Sequence, residues 1–137
     1  MIVADANVLA YLFISGDMTA TAQRLRERDP EWAVPPVWRW EFGNVLVNHH
    51  RTGRLTAEAC EELSAAALER LTPNERDVRQ GVVLSTAIRT RCTMYDAAYV
   101  ALAQQLGVAL VTEDQALLRA VPEVAVSMER FLARGRR

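Results

Sequence analysis

The pattern of apolar and polar positions predicts short strands that alternate with helices along the whole chain. Short unbroken apolar runs are typical of strands that are buried on both faces of a parallel sheet. Four such runs occur, at residues 2–4, 32–34, 108–111 and 124–126. A weaker segment at 71–73 is predicted to be an edge strand, because Pro73 lacks the N–H that a central strand must donate.

Helical periodicity fills the intervals between these runs. The predicted helices cover residues 6–14, 19–28, 36–51, 56–68, 94–106 and 128–132, and one more begins at Asn74 or Asp77 and runs to 88. Pro36 suits the first position of its helix, Thr56 is a typical N-cap residue, and Gly107 is a typical C-cap residue. The helix at 94–106 is apolar nearly all round, which indicates a buried helix.

This alternation predicts the class of the fold. Strands that alternate with helices favour an α/β protein in which a short, mostly parallel sheet is flanked by helices on both faces. A length of 137 residues is enough for one domain with a proper core, and no linker, repeat or low-complexity segment divides the chain. We therefore expect a single domain over residues 1–137.

Composition narrows the range of functions without choosing one. Half of the residues are hydrophobic and 24% are charged, as in ordinary soluble proteins, and the net charge of −1 provides no general attraction to nucleic acid. All sixteen basic residues are arginines, which excludes mechanisms that need a lysine. Two isolated cysteines, no apolar run of about 20 residues and no basic leader segment favour a cytoplasmic protein without membrane association.

Two aspartates follow predicted parallel strands. Asp5 ends the first strand, and Asp114 comes just after the run at 108–111. The carboxyl ends of parallel strands meet at one edge of a sheet, which is where open α/β sheets bind ligands. Each aspartate considered alone is better explained as the N-cap of a following helix.

A third carboxylate is expected at the same edge. Asp96 lies in the first turn of the buried helix, after which the chain turns at Gly107 and returns through the run at 108–111. A helix of about 13 residues is about 19 Å long and a strand of about five residues covers about 16 Å, so Asp96 and Asp114 finish at the same end of the layer. The alternative is a first-turn aspartate that is favoured only by the helix dipole.

Glu41 interrupts an apolar helical stripe. It lies one turn after Val37 and one turn before Val45, so its side chain should face the core near the end of the second strand. A buried carboxylate is costly unless a partner compensates for the lost water. Two explanations are open. Glu41 either forms a buried ion pair with an arginine, or it belongs to a functional site at the carboxyl edge of the sheet. Asn44 lies on the same side of the helix and can hydrogen-bond a carboxylate or a bound water.

Four carboxylates that converge on one place repel one another unless a cation is bound. Mg²⁺ binds one or two carboxylates directly, keeps several waters and interacts with further acids through them, and no cluster of histidines or cysteines competes for a softer metal. Asp5 with Asp96 or Asp114 is the candidate metal-binding set. Glu41 is the candidate group that orients or deprotonates the attacking water in phosphodiester hydrolysis.

Four segments together resemble the PIN-domain ribonucleases, and within that family the VapC-type toxins of bacterial toxin–antitoxin pairs. The segments are VADANVL at 3–9, EFGNVL at 41–46, YDAAY at 95–99 and LVTED at 110–114. They occur in this order over nearly the whole chain, although residues 53–90 match only in their helical pattern. The resemblance implies a PIN-like three-layer fold.

The resemblance also implies roles for individual residues. Asp5, Glu41, Asp96 and Asp114 match the acidic quartet of the family. The positions that match its supporting polar residues are Asn7, Asn44 and Thr112. By this likeness the chain is an endoribonuclease that depends on Mg²⁺ or Mn²⁺, with Asp5, Asp96 and Asp114 near the metal.

Partners follow from the same likeness. It implies an RNA substrate, a homodimer, and a VapB-type antitoxin whose peptide arm fills a groove that leads to the acids. We expect the antitoxin to bind apolar surface on the first helices, around Leu9, Leu12, Phe13 and Leu25.

With a net charge of −1, the protein would have to bind RNA through local arginines. The candidates are Arg39, Arg51, Arg54, Arg89, Arg91 and the C-terminal tail at 134–137. Trp40 lies off the apolar stripe of its helix, whereas Trp38 is predicted to be in the core. Trp40 either stacks on a base or fills a dimer interface.

Other interpretations are weighed by the residues that they need. A receiver domain and a haloacid-dehalogenase-type phosphatase both need a lysine, and Asn7 stands where the phosphatase needs a second aspartate. A non-catalytic binding module of the same fold would be expected to lack one or more of the four acids, and all four are present. A stand-alone PIN-domain nuclease for RNA processing remains an alternative to the toxin.

Overall fold

Four parallel strands form the centre of the computed structural model, which describes residues 1–135. The strands are β1 (Ile2–Ala4), β2 (Trp32–Ala33), β3 (Leu110–Val111) and β4 (Ala125–Val126). They lie in the order β2-β1-β3-β4, so that β1 and β3 are the inner pair. Every residue in these strands is buried, because helices cover both faces of the sheet.

Eight helices surround the sheet within the described part of the chain. They are α1 (Ala6–Phe13), α2 (Thr19–Arg28), α3 (Trp38–Arg51), α4 (Ala57–Leu71), α5 (Gln80–Thr90), α6 (Met94–Leu106), α7 (Gln115–Ala120) and α8 (Met128–Ala133). None of these helices is long and apolar enough to cross a bilayer. The predicted α/β architecture, with a short parallel sheet between helices, is confirmed.

Helix α6 has the predicted bounds because both of its ends are specified locally. The Thr93 hydroxyl accepts a hydrogen bond from the backbone N–H of Asp96 at 3.1 Å. Gly107 ends the helix in the left-handed conformation, with φ 67°. Its central segment, from Tyr99 to Ala103, is buried on all sides.

The predicted edge strand at 71–73 is wrong. Helix α4 continues past the predicted end at 68 to Leu71, because Leu71 extends the buried stripe of Leu63 and Ala67 by one more turn. Thr72–Asn74 then forms a short 3₁₀ helix that contains Pro73. The backbone next to β2 is instead at Glu75, which forms an isolated parallel bridge with Val34.

Two helix starts were also predicted too early. Helix α5 begins at Gln80 instead of Asn74 or Asp77, because the Arg76 N–H is bonded to the carbonyl of Val34 and the chain there runs beside the sheet. Helix α3 begins at Trp38 after a turn at Pro36, and not at Pro36 itself. The later start places Glu41 in the first turn of α3, closer to the carboxyl edge of the sheet.

Aromatic side chains fix the position of α3. Trp38 is buried, as predicted, and its indole N–H donates to a Glu75 carboxylate oxygen at 2.6 Å. The same carboxylate accepts from Nε of Arg39 at 2.5 Å, which engages one of the arginines predicted to bind RNA. Trp40 is 78% exposed, so it is free for an intermolecular contact. Of the C-terminal tail, residues 136 and 137 lie outside the described residues.

Two helix ends adopt the same left-handed backbone with different residues, and their substitutions should have opposite effects. Gly107→Ala should lower the free energy of unfolding by about 1 kcal/mol, because the added methyl meets no atom within 4 Å and only the backbone is penalised. Arg91, with φ 62°, carries that penalty already. Arg91→Gly should therefore raise the free energy of unfolding by roughly 0.5 kcal/mol. This gain is the relieved backbone penalty minus the cost of the greater conformational freedom of glycine in the unfolded chain. Urea denaturation measures both, and changes of the same sign would contradict this explanation.

Candidate active site

Thr112 connects the residues at the carboxyl ends of β1 and β3. Its hydroxyl donates to Oδ2 of Asp5 at 2.7 Å and accepts from the backbone N–H of Asp114 at 3.0 Å. The parallel register pairs Ala4 with Val111, so the residues after the two strands are neighbours in space. The geometry follows directly from the pairing of the inner strands.

Asp5 is the most deeply buried carboxylate at this edge. It is 5% exposed, and its Oδ1 accepts from the backbone N–H of Ala6 at 2.8 Å, so it is also the N-cap of α1. Burial raises the pKa of Asp5 from 3.8 to about 6, against the opposing effects of the bonds from Thr112 and Ala6. The negative charges of Asp96 and Asp114 raise it further.

Asn7 strengthens the link between α1 and the segment after β3. Its Nδ2 donates to the Thr112 hydroxyl at 3.4 Å, and its Oδ1 accepts from the backbone N–H of Glu113 at 3.3 Å. Glu113 in turn accepts from the backbone N–H of Met128 at 2.8 Å. The sequence did not identify Glu113, whose role is to join the edge to the start of α8.

Asp114 and Asp96 complete the carboxylates on the side of β3. Asp114 caps α7 through Oδ1, which accepts from the N–H groups of Ala116 at 2.8 Å and Leu117 at 3.3 Å. Burial and the charge of Asp114 raise the pKa of Asp96, which is in the first turn of α6. The N-cap interpretation is correct for Asp5 and Asp114. Both still belong to the carboxylates at this end of the sheet, Asp5, Glu41, Asp96 and Asp114, which we call the acidic edge.

Glu41 approaches the same edge from α3. Burial raises its pKa from 4.5 to about 6, and the charges of Asp5 and Asp96 add to this effect. Within residues 1–135 no arginine forms an ion pair with Glu41, so the described residues offer no buried ion pair to explain its position. Its Oε1 is buried and has no hydrogen-bond partner among the described residues.

The four acids predicted from the sequence are therefore brought together by the fold. Asp5, Asp96 and Asp114 influence one another electrostatically, and Glu41 interacts with the first two. Asn7 and Thr112 belong to the same hydrogen-bonded network. Asn44 is exposed and forms no side-chain hydrogen bond within the described part of the chain, so its supporting role stays a prediction.

Tyr99 is a further member of the site that the sequence did not identify. Its ring is fully buried, and its phenol is close enough to Glu41, Asp5 and Asp96 that their charges raise its pKa. The available signal was its spacing, because Tyr99 follows Asp96 by three residues on the same face of α6.

The donor set fits a hard divalent cation. The candidate ligands are carboxylate oxygens, and the buried Oε1 of Glu41 is an acceptor that lacks a donor. No three histidine, cysteine or acidic side chains among residues 1–135 form a ready-made metal cage. Mg²⁺ does not need such a cage, because it can bind through one or two carboxylates and retain several waters.

A large groove begins beside this edge. It has a volume of about 880 Å³, starts at Asn7, and is lined mainly by apolar side chains from α1, α3 and α4. The lining includes Tyr11, Phe13, Ile14, Met18, Val45, His49, Arg54, Leu55 and Leu63. Leu9 and Leu25 are fully buried in the core, so the prediction that they form part of an exposed docking surface is wrong. Both belong to the main hydrophobic core, because α1 and α2 present their most apolar stripes inward.

Comparisons with known proteins agree with this geometry. The family model described as PIN domain matches residues 2–123. The chain is also similar to Ribonuclease VapC3 of Pyrobaculum aerophilum, with 27% identity over 124 residues that cover 88% of this chain and 95% of the relative.

Solved structures have the same fold. PAE2754 from Pyrobaculum aerophilum has a TM-score of 0.76 and 25% identity, over 97% of this chain and 87% of that one. A toxin–antitoxin complex from Klebsiella pneumoniae has a TM-score of 0.66 and 20% identity, over 93% and 98%. FitAcB from Neisseria gonorrhoeae has a TM-score of 0.70 and 12% identity, over 94% and 99%. The last two likenesses concern the fold alone. Since the family model spans most of the chain and the predicted acids meet at the expected edge, the chain belongs to the PIN-domain family.

Proposed function

We propose that this protein is a divalent-metal-dependent endoribonuclease that acts as the toxin of a VapBC-type toxin–antitoxin pair. The observation that carries the proposal is the meeting of Asp5, Glu41, Asp96 and Asp114 at one edge of the sheet, with raised pKa values at three of them. Acids arranged in this way are the usual protein component of metal-assisted phosphodiester hydrolysis. The similarity to Ribonuclease VapC3 supports RNA as the substrate.

Each acid has a role suited to its surroundings. Asp5, Asp96 and Asp114 would hold Mg²⁺ or Mn²⁺, and the bound metal would supply charge neutralisation at the phosphodiester and a more acidic water. Thr112 and the Ala6 N–H fix the orientation of the Asp5 carboxylate. Glu41, with a pKa of about 6, is ionised at neutral pH and still basic enough to accept a proton from the attacking water.

The groove beside the acids suits the peptide arm of an antitoxin. It is mainly apolar, and it leads to Asn7, which is hydrogen-bonded within the site. An arginine at the end of such an arm would pair with the carboxylates in a bidentate manner. The similar chain from Klebsiella pneumoniae is part of a toxin–antitoxin complex, which supports a protein partner of this kind.

The remaining parts of the proposal concern assembly and location. We propose a homodimer, with exposed apolar side chains such as Ile88 and Leu84 on α5 as candidate contacts. A cytoplasmic location agrees with the two free cysteines.

A stand-alone RNA-processing nuclease is the second candidate function, since the acidic edge would be the same in both. The discovery of a small upstream open reading frame that encodes an antitoxin would favour the toxin function over the RNA-processing function.

Cleavage of RNA should require a divalent metal and the acidic edge. Purified protein should cleave RNA with Mg²⁺ or Mn²⁺ and lose this activity in excess EDTA. Asp96→Asn should reduce the rate by about 100-fold or more, because it removes a charge that binds the metal. Asp77→Asn is the matched control, since Asp77 is exposed and is not among the charges that raise the pKa values of Asp5, Glu41 and Asp96. Undiminished cleavage in EDTA would exclude the metal mechanism.

The metal-free acidic edge should destabilise the fold near neutral pH. Asp5 and Glu41 have raised pKa values of about 6 in the folded chain, so the folded state binds more protons than the unfolded state between about pH 4 and 6. This contribution to stability, measured by urea denaturation, should therefore rise as the pH falls from about 7 through 6 to about 4. For Asp5 the full effect is about 3 kcal/mol, at about 1.4 kcal/mol per pKa unit.

Glu41→Gln tests the same repulsion at constant pH. It should abolish cleavage and raise the free energy of unfolding by about 1 kcal/mol at pH 7.5 without metal, a value reduced for the partial exposure of Glu41. Mg²⁺ should stabilise the wild type more than this variant. A large loss of stability in thermal melts would show instead that the negative charge of Glu41 has a cationic partner in the folded chain.

The groove should be the antitoxin-binding surface. Val45→Glu places a charge in the groove and should weaken binding of a cognate antitoxin by about 100-fold, because the charge would be buried in a mainly apolar contact. Val47→Glu is the matched control on the same helix, since Val47 is exposed outside the groove. Binding can be measured by titration calorimetry with cleavage-deficient protein. Equal affinities for both variants would place the antitoxin elsewhere.

A further inference from the structure

Two buried polar atoms near the acidic edge are both without a hydrogen-bond partner among residues 1–135. The phenol of Tyr99 on α6 is fully buried and has no hydrogen-bond partner within residues 1–135. The same is true of Oε1 of Glu41 on α3. One of these groups is a donor and the other is an acceptor, so each supplies what the other lacks.

Such atoms are rare in folded proteins, because a buried polar group without a partner has lost its hydrogen bonds to water and formed no new ones. Tyr99 sits in the main apolar core, where a phenylalanine would fill the same volume without this penalty. The hydroxyl therefore needs an explanation beyond packing. Its surroundings provide one, since the carboxylates that affect it are Glu41, Asp5 and Asp96.

Electrostatics determine the direction of the contact. Burial and the neighbouring carboxylates raise the pKa of Tyr99, so that it stays protonated at any working pH. The phenol can then only stabilise a carboxylate by donating to it. The effect on Glu41 agrees, because the phenol facing it lowers the pKa of Glu41 against the effect of burial. Each side chain affects the pKa of the other, which places them near one another, but neither atom has a partner in hydrogen-bond geometry, so a side-chain rotation is needed to join them.

We propose that Tyr99 is a positioning residue, whose phenol donates a hydrogen bond to Oε1 of Glu41 and holds that carboxylate toward the acidic edge. This inference rests on the proposed function for its effect on catalysis, but not for the contact itself. Glu41 lies in the first turn of α3, and within the described residues no other side chain is hydrogen-bonded to it. Without the phenol, the carboxylate would be free to adopt rotamers that do not reach the attacking water.

Tyr99→Phe separates positioning from packing, because it removes only the hydroxyl. In multiple-turnover RNA cleavage with Mg²⁺, the turnover number should fall about tenfold while the Michaelis constant changes less than twofold. Tyr95→Phe is the matched control, one turn earlier on the same helix and 59% exposed, and it should leave both constants unchanged. An unchanged turnover number for Tyr99→Phe would overturn the positioning role.

A double-mutant cycle tests the contact without reference to nuclease activity. Urea denaturation of metal-free protein at pH 7.5 is measured for the wild type, Tyr99→Phe, Glu41→Ala and the double variant. Tyr99→Phe should shift the unfolding equilibrium about tenfold toward the unfolded state in the wild-type background, and less than twofold in the Glu41→Ala background. Equal shifts in both backgrounds would overturn the hydrogen bond. Coupling in a wild-type protein that cleaves no RNA would support the hydrogen bond and refute the proposed function.

Discussion

The parallel pairing of β1 and β3 is the constraint on which the functional edge depends. This pairing places Asp5 beside the segment that follows Val111, and one hydroxyl, that of Thr112, then joins the two. A buried aspartate is tolerated there because both of its oxygens accept hydrogen bonds. If the strands were shifted by one residue, Thr112 would point to the other face of the sheet and Asp5 would lose its partner.

The helices add the remaining carboxylates to this fixed point. Helix α3 follows β2 and delivers Glu41 in its first turn, while α6 precedes β3 and delivers Asp96 in its first turn. Both therefore begin at the carboxyl edge, with their positive dipole ends near the acids, which partly offsets the mutual repulsion of the carboxylates. Burial is the main cause of the raised pKa values of Asp5, Glu41 and Asp96, and the neighbouring carboxylates raise them further, so the offset is incomplete. A site of this kind gives up stability in the metal-free protein for the ability to bind a cation.

The same arrangement explains why a groove lies next to the acids. Helix α1 begins just after Asp5 and leads away from the edge, and α3 packs beside it, so the groove between them runs from Asn7 toward the far ends of the two helices. Asn7 belongs to both features, since it lines the groove and bonds to Thr112. A ligand in the groove would thus contact a residue that orients the acidic edge.

Local signals allowed the sequence by itself to determine α6, the four strands and the positions of the four acids. Thr93 and Gly107 fix the ends of α6 through backbone contacts within a few residues, so no distant information was needed. Only the tertiary structure decided how the chain runs between α4 and α5. Residues 75 and 76 pair with the backbone of Val34, and this pairing accounts for the 3₁₀ turn at Thr72–Asn74 and for the late start of α5. The inward stripe of α1 and α2, the isolation of Glu41 from any described arginine, and the approach of Tyr99 were also beyond the sequence. Each of these depends on side chains that are distant along the chain and meet only when the helices pack. Periodicity predicts that a helix has a buried face, but it does not identify the residues that this face contacts.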